Sequence, residues 1–555
     1  MCPSRLPPSE KPSKATFSPL IAFVRSLAAA PVVKRKRCEM PNTMQAVLLA
    51  VALLGLAIKP AMSSPSDLQA SEQGRAIAAA RKALAAATST RGPTDPQTLQ
   101  AMSTLVSAYL DAEDFEAAAP LAHDVLAGLA RTTPRDDTAI ALVTSDLAQI
   151  AEGRGRLTYA ESQYQRSLDL AERASVKNYA AIAQALNNFG AFLNNVGRSR
   201  EAEPLLRKAL HLRERYLGPT APLTAQSLCL LGVSALMQED LLLAESLLRQ
   251  SLAIRQQMDP PSRRSDIAES QEMLAKLLIA TGRPDEALKL ASEAFDNDVA
   301  GFGPTHLRTL MAMHLKADTL AATAHEAESD RLHRDLLAKI ESLTPPQLEI
   351  LAGMLGDYGR HLVSAGQTAR AVDVHRRAVS VSGQLQGDKE NVSIRQRRYL
   401  AESLYLNGET AEAVRQGRDI VTTLGKSDPQ SLDTGAALVS LAKYLLASDG
   451  TEEAREMLNR AIAILEKAAG RSSVPTLQAL YLLGMSYIST DELKEAERVV
   501  EDAMGRFKDD PDIRSTAVIG DIIGLRATVY RKTGRLKEAQ EAEQAARKIH
   551  ADQRR

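Results

Sequence analysis

The chain has 555 residues, of which 45% are apolar and 25% charged, so it can bury a large core and lacks the composition of a disordered protein. Aromatic residues make up only 4% and Trp is absent, which favours helices over a β-sandwich or a β-barrel. The 68 basic and 68 acidic side chains balance, which argues against a chain that coats nucleic acid or an anionic membrane.

Residues 1–63 are predicted to be an N-terminal extension and signal peptide. An uncharged apolar run at 46–58 follows the basic cluster at 34–37. As a helix this run rises about 20 Å, which is shorter than the roughly 30 Å hydrocarbon layer of a bilayer. Small side chains at Ala61 and Ser63 suit signal peptidase. We therefore expect cleavage near Ser63, a linker at 64–73 and a periplasmic or secreted mature protein.

Other interpretations of this N-terminal segment stay open at the sequence level. Translation starts at Met1, Met40 or Met44, and the sequence does not decide among them. If the apolar run is not cleaved, it anchors the protein in a membrane. The basic, acid-free stretch at 11–37 also fits a mitochondrial presequence. Without residues 1–63 the chain keeps 59 basic and 66 acidic side chains, so its body is mildly acidic.

The three cysteines predict neither a disulfide framework nor a cysteine-based zinc site. Cys2 and Cys38 lie in the segment expected to be removed, which leaves Cys229 alone. We interpret Cys229 as a small core or groove residue.

A helix-turn-helix phrase recurs about every 42 residues through the rest of the chain. Each phrase places an Ala shortly after a turn, and successive anchor alanines are about 40 to 44 residues apart. The anchors are Ala76, Ala118, Ala160, Ala202, Ala244, Ala287, Ala327, Ala371, Ala413, Ala454, Ala496 and Ala539. Twelve residues upstream stands a small residue in nine of the eleven full repeats, where two helices must cross closely. The pattern therefore predicts helix pairs that stack on one another.

The third unit carries the clearest family resemblance. Its segments LNNFG at 186–190 and GRSREAEPLLRKAL at 197–210, with the connector LGPT at 217–220, resemble tetratricopeptide repeats of the 42-residue kinesin-light-chain type. The resemblance covers about residues 74–550. It implies an all-α fold, an α-solenoid of about eleven repeats in a right-handed superhelix, with a C-terminal tail at 551–555.

The sixth repeat departs from this pattern. Its anchor Ala327 follows the previous anchor at the shortest spacing of the series, and Leu315 occupies the position of the small residue. Ala317 restores the register only if the turn has lost two residues, and two prolines follow at 345–346. We expect either a kink in the superhelix or a boundary between lobes at 318–348.

Sequence motifs of catalysis and cofactor binding do not occur. The chain has no GxxxxGK[ST] phosphate loop, no GxGxxG and no GxSxG. The zinc motif HExxH fails because Ser329 stands where a second His would follow His325. We predict no catalytic residue, no cofactor, no metal and no small-molecule substrate, and we interpret His325 and His333 as solvated. An enzyme of unrecognised type is the less favoured alternative.

The resemblance implies that the first helix of each repeat lines a concave wall that binds an extended peptide or a partner's helix. In the third repeat this wall carries amides, which both donate and accept hydrogen bonds: Gln184, Asn187, Asn188 and Asn194, with Asn195 beside them. Farther along it carries basic groups suited to a client's carboxylates: Lys276, Arg360, Arg395, Arg398 and Lys443. The alternative is that Asn194 and Asn195 end a helix and Asn187 is solvated, and that the basic groups are solvated or neutralised by neighbours such as Glu402.

These observations predict a non-catalytic scaffold or adaptor that binds a protein or peptide client and is exported. Nucleic acid is not an expected partner, because the body of the chain is acidic and poor in aromatic stacking groups. A membrane is expected only if the N-terminal segment stays uncleaved. The alternative is a membrane-tethered or cytoplasmic adaptor or regulator of the same fold.

Overall fold

A computed structural model describes residues 72–257, 264–343, 347–385, 390–507 and 517–552 of the chain. The predicted signal peptide, its cleavage site near Ser63, nearly all of the linker and most of the predicted tail lie outside these residues.

The described residues form 23 α-helices and no strand, so the all-α solenoid class predicted from the sequence is confirmed. In chain order the helices are α1 (Glu72–Arg91), α2 (Pro96–Asp111), α3 (Phe115–Leu129), α4 (Asp137–Gly153), α5 (Leu157–Arg173), α6 (Tyr179–Asn195), α7 (Ser199–Leu217), α8 (Pro222–Met237), α9 (Leu241–Gln256), α10 (Arg264–Ala280), α11 (Pro284–Phe302), α12 (Leu307–Ala322), α13 (Glu326–Glu341), α14 (Leu348–Ser364), α15 (Thr368–Ser382), α16 (Glu390–Leu406), α17 (Thr410–Ser427), α18 (Leu432–Leu446), α19 (Thr451–Ala469), α20 (Val474–Ser489), α21 (Leu493–Phe507), α22 (Ala517–Lys532) and α23 (Leu536–Asp552).

The described residues divide into two compact units. The N-terminal unit holds the described residues up to Ser427 together with Ser440–Met457. The C-terminal unit holds Asp428–Val439 and the described residues from Leu458 onward. The predicted kink or lobe boundary at 318–348 stays a prediction. None of the helices in the described ranges combines the length and apolar character needed to cross a bilayer.

Local sequence signals begin and end these helices. Asp95, Asp114 and Asn178 accept hydrogen bonds from backbone N–H groups in the first turns of α2, α3 and α6, which satisfies donors that have no partner inside the helix. The turn inside each pair contains one residue with positive φ, five residues before the anchor. Gly197 takes this conformation at φ 80° in the third repeat, and where glycine is missing another residue accepts the strain, such as Ala324 at φ 60°.

From α2 onward, consecutive helices pair two by two into eleven repeats, and α1 has no helix before it among the described residues. The anchors Ala118, Ala160 and Ala202 are 0% exposed, as the pattern of small residues predicts. Ala76 on α1 is exposed, and no first helix among the described residues covers it. The anchor therefore marks the contact between the two helices of a complete pair.

The sixth repeat is regular, and the register predicted for it is wrong. The turn between α12 and α13 has three residues, Thr323–His325, like its neighbours, so it has lost none. The third residue after the start of α13 is Ser329, which takes the anchor position and is 4% exposed, whereas Ala327 is exposed. The Ser329 hydroxyl donates to the carbonyl of Ala317 at 2.8 Å. A small residue whose hydroxyl is satisfied thus replaces Ala, midway between the anchors of the fifth and seventh repeats.

Close helix crossings explain the small residues twelve positions before the anchor. A Cβ at Gly190 would lie 2.6 Å from Cγ of Leu206, and a Cβ at Gly232 would lie 2.9 Å from Cγ of Leu248. Such distances force a shift of the second helix, because a packed interior has no room for an added methyl group.

We expect Gly190→Ala to lower the free energy of unfolding by about 1–3 kcal/mol, because its methyl group collides with Leu206. The matched control is Gly353→Ala on α14, where a Cβ meets no atom within 4 Å. That control should raise stability by about 0.5–1 kcal/mol, because Ala favours the helix. Urea unfolding followed by circular dichroism measures both changes, and equal effects at the two sites would contradict the crossing assigned to Gly190.

Candidate functional site

The predicted amide row of the third repeat surrounds a buried arginine that sequence reasoning missed. Arg213 lies on α7 and is 1% exposed. Its Nη2 donates to Oε1 of Gln184 at 2.7 Å, and its Nη1 donates to Oδ1 of Asn187 at 3.0 Å and to the carbonyl of Leu223 at 2.6 Å. Burial lowers the pKa of Arg213 to about 10.

The remaining amides join neighbouring repeats. Asn188 donates to Oγ of Ser145 at 2.9 Å, and Asn194 donates to the carbonyl of Leu230 at 3.0 Å. Asn187 and Asn194 are each 1% exposed, so a peptide would reach them only if they left these partners. Gln184 and Asn188 are half-buried, and peptide contact by the row stays a prediction that depends on these two.

The predicted basic stripe is an alternating ladder of charges. Its members stand eleven residues before the anchor on successive first helices: Lys276, Asp318, Arg360, Glu402 and Lys443. Asp318 falls out of this register when the sixth anchor is placed at Ala327, which hides the alternation in the sequence. We call these five residues the charge ladder, and the surface formed by the first helices the first-helix face.

Members of the charge ladder are partly buried and paired. Nζ of Lys443 lies 2.6 Å from Oε2 of Glu402 and 4.9 Å from the centre of the Tyr405 ring. Nη2 of Arg360 donates to Oδ1 of Asp357 at 2.5 Å. Glu402 is thus the neutralising neighbour that the alternative interpretation named, and it neutralises Lys443.

Lys276 stands at the start of the ladder, among further charges. Burial lowers its pKa, although the carboxylates of Glu272 and Asp318 oppose this shift. Arg398 and Arg395 lie half-buried on α16, one and two turns before Glu402 respectively. The structure therefore places the predicted basic residues on first helices, but interleaved with acids.

A second charged cluster joins the beginning of the N-terminal unit to its middle. Four carboxylates surround Arg308: those of Glu113, Glu269, Glu272 and Asp298. Asp298 is 0% exposed, and burial together with the carboxylate of Glu272 raises its pKa well above the usual range. Helix α1 also packs against α11, five repeats later. No residue spacing in the sequence predicts the contact between α1 and α11.

Histidines gather on the first-helix face beside the ladder. His314, His333 and His361 surround Asp318, with Nε2 of His361 2.7 Å from Oδ1 of Asp318. His333 is 1% exposed, so its interpretation as a solvated residue is wrong, whereas His325 is exposed as predicted. Burial would raise the pKa of Asp318, but the surrounding histidines hold it well below its usual range. These side chains come from three helices, which is why the search for HExxH missed them.

Cys229 is 0% exposed, which confirms its interpretation as a core residue. Burial raises the pKa of its thiol to about 12, so the thiolate needed for nucleophilic attack is scarce at neutral pH.

The C-terminal unit contains a cavity of about 340 Å³ between α20, α22 and α23. Its wall includes Tyr481, Asp521 and His550, and Nε2 of His550 lies 3.4 Å from Oδ1 of Asp521.

The profile of the tetratricopeptide repeat family matches residues 181–257 and 433–509 of this chain. A search of the curated proteins gives no match.

Three solved structures are among those similar to this chain. BtubC (BKLC) from P. vanneervenii is 22% identical, with coverage of 41% of this chain and 92% of that one and a TM-score of 0.33. A putative kinesin light chain from Podosopora anserina, with nearly identical TPR-like repeats, is 17% identical, with coverage of 37% of this chain and 97% of that one and a TM-score of 0.31. The apo quorum sensor NprR from B. thuringiensis is 12% identical, covering 75% and 100% at a TM-score of 0.47. The chain therefore carries tetratricopeptide repeats at residues 181–257 and 433–509, within a regular succession of helix pairs.

Proposed function

We propose that this protein is an exported, non-catalytic scaffold that binds a protein or peptide client on its first-helix face. Tetratricopeptide repeats are protein-binding scaffolds, and stacked helix pairs present one continuous surface built from equivalent positions. The observation that carries the proposal is the charge ladder, which places five alternating charges at one position of five successive first helices.

The ladder is more than a solvated surface. Side chains of Asp318, Arg360 and Glu402 are 23–28% exposed, and that of Lys443 is 12% exposed. Removing charges from water costs free energy that internal pairing repays only in part. Such partly desolvated charges favour specificity, because a client with complementary charges pairs with them and one with like charges is repelled. We infer a client segment of mixed charge.

Export is the second part of the proposal. The apolar run at 46–58, the basic cluster before it and the small residues at Ala61 and Ser63 support it. The high pKa of Cys229 and the absence of catalytic motifs from the sequence support a non-catalytic role.

We expect Arg395→Ala combined with Arg398→Ala to weaken client binding at least about tenfold, because both guanidiniums lie on the first-helix face. The matched control is Arg415→Ala with Arg418→Ala, two exposed arginines with the same spacing on the second helix α17. Affinity capture from a periplasmic fraction, followed by titration of the purified client, measures the change. N-terminal sequencing of the captured protein should give a start near Ser64.

Equal client affinity of the two double variants would overturn the binding face. An uncleaved N-terminus in the membrane fraction would overturn the export without affecting the binding face. Lys443→Met provides a second readout of the ladder, and it should also weaken binding of a client that the ladder recognises.

A further inference from the structure

Three electron-pair donors converge on one point between α12 and α13. Oδ1 of Asp318 lies 3.5 Å from Nδ1 of His314 and 3.4 Å from Nε2 of His333. All three atoms lie within 4.8 Å of one another. His314 and Asp318 are four residues apart on α12, so both project from the same face of that helix. His333 reaches the point from α13.

In each imidazole the nitrogen opposite Asp318 faces an acceptor, so that nitrogen can keep its N–H while the other binds a metal. Nδ1 of His333 lies 3.0 Å from the carbonyl of Ser329, so the N–H belongs at Nδ1 and the lone pair of Nε2 faces Asp318. Nε2 of His314 lies 3.4 Å from Oδ2 of Asp357 and Nδ1 lies 3.5 Å from Oδ1 of Asp318, so a proton kept on Nε2 leaves Nδ1 free to bind a metal beside Asp318. Once both rings have lost the proton nearest Asp318, two nitrogen lone pairs and a carboxylate oxygen face one another.

Of the four ring nitrogens, only Nδ1 of His333 has a hydrogen-bond partner among the described residues. Neither ring nitrogen of His314 makes a hydrogen bond with any described residue, and the same holds for Nε2 of His333. The two side chains are 4% and 1% exposed, so bulk water does not replace the missing partner. A cation at the point of convergence would satisfy all three donors.

We propose that His314, Asp318 and His333 bind one divalent transition-metal ion of the Zn²⁺ type, through Nδ1, Oδ1 and Nε2 respectively. Zinc binds imidazole nitrogen and carboxylate oxygen at about 2.0–2.2 Å, which corresponds to ligand–ligand distances of about 3.3–3.6 Å in a tetrahedral site. The distances of 3.4 and 3.5 Å to Asp318 match this requirement. Two imidazoles and one carboxylate suit zinc, cobalt or nickel better than magnesium or calcium, which prefer oxygen.

The surroundings resemble the outer shell of metal sites. A ligating histidine almost always donates its other N–H to a carboxylate or a backbone carbonyl. Here the Ser329 carbonyl takes this role for His333, and Oδ2 of Asp357, 3.4 Å from Nε2 of His314, stands where the acceptor for His314 would be. His361 is not one of the three ligands, but its Nε2 contacts Oδ1 of Asp318 and helps to position it. The side chains of His361 and Asp318 are 28% and 23% exposed, which leaves an access route for the ion. The charges of Arg360 and Lys276 balance the two carboxylates in part.

The experiment uses the full chain after removal of bound metal with a chelator. Calorimetric titration with Zn²⁺ should show one equivalent bound, and Co²⁺ should produce the visible absorption bands of a tetrahedral complex. His333→Ala and Asp318→Asn should each weaken Zn²⁺ binding at least about 100-fold and remove the cobalt bands. His325→Ala, an exposed histidine at the start of α13, is the matched control and should bind like the unaltered chain.

His361 acts as a positioning residue, so its variants give a graded result. His361→Ala should weaken binding about 10- to 100-fold, and His361→Gln, which still donates an N–H to Asp318, should restore much of it. Circular dichroism must show native helix content for every variant, and the near-isosteric Asp318→Asn keeps the test valid if a histidine variant fails to fold. Absence of stoichiometric binding by the unaltered chain would overturn the proposal, as would equal affinity of Asp318→Asn and His325→Ala.

Discussion

Arg213→Met is expected to lower the free energy of unfolding of the N-terminal unit by about 2–4 kcal/mol. The substitution removes the guanidinium donor from buried Oδ1 of Asn187 and from the partly buried acceptors on Leu223 and Gln184, and a buried acceptor that loses its donor costs about 1–3 kcal/mol. Part of this loss is offset, because the folded chain no longer has to desolvate a guanidinium. The free energy of unfolding of Arg213→Lys should lie between those of the unaltered chain and Arg213→Met, because an ammonium keeps the charge but not the planar set of five donors.

Urea unfolding gives the overall change, and hydrogen exchange should localise it to α6, α7 and α8, because each repeat contacts mainly its neighbours. Arg207→Met is the control, since this arginine lies on the same helix with its side chain 53% exposed. It should change stability by less than about 0.5 kcal/mol. Combining Arg213→Met with Gln184→Met should recover part of the loss, because the acceptor is removed with its donor. Equal effects of Arg213→Met and Arg207→Met would contradict the buried network.

The fold could be predicted from the sequence because its signal repeats. Anchors such as Ala160 and Ala202, with small residues at the helix crossings, mark the same contact in repeat after repeat, so one ambiguous unit does not hide the period. The sixth repeat is harder to place because the expected Ala is missing from its anchor position. Ser329 satisfies the same steric requirement by a different route, with its hydroxyl bonded to the Ala317 carbonyl.

The candidate site was harder to predict, because it depends on partners that come from other repeats. Gln184 and Asn187 have the chemistry of peptide-binding amides, but the partner that occupies them is Arg213, 26 residues beyond Asn187 on another helix. His314, Asp318 and His333 do not have the HExxH spacing, since the third comes from a second helix. A search at fixed repeat position, with Ser329 as anchor, would have found the charge ladder.

The stability of the N-terminal unit is expected to fall by about 3 kcal/mol between pH 6.5 and pH 4 through the titration of His375 alone. This side chain is 1% exposed, and burial lowers its pKa to about 4, with the charge of Arg360 adding to the shift and Asp357 opposing it. Its Nε2 faces the carbonyl of Gly356 at 3.2 Å and its Nδ1 faces Oγ of Ser403 at 2.7 Å, which suits a neutral ring.

The direction of this change in stability depends on whether the folded or the unfolded chain binds the proton more readily. Above pH 6.5 the histidine is neutral in both states, so its contribution is complete. As the pH falls from 6.5 to 4, His375 binds a proton in the unfolded chain but not in the folded chain, so the free energy of unfolding declines by about 1.4 kcal/mol per pH unit. Below pH 4 both states are protonated and the decline from this group ends.

Other repeats supply the variant that isolates this effect. His375 stands four residues after its anchor, where the third and fourth repeats carry Leu206 and Leu248. His375→Leu should therefore stay within about 1.5 kcal/mol of the unaltered chain at pH 7.5. When the pH is lowered from 7.5 to 5, the stability of His375→Leu relative to the unaltered chain should rise by about 2 kcal/mol, because leucine binds no proton in the unfolded state. Urea unfolding at the two pH values measures the gain, and His325→Leu, an exposed control, should show none. Parallel pH profiles for the unaltered chain and His375→Leu would contradict the neutral buried imidazole.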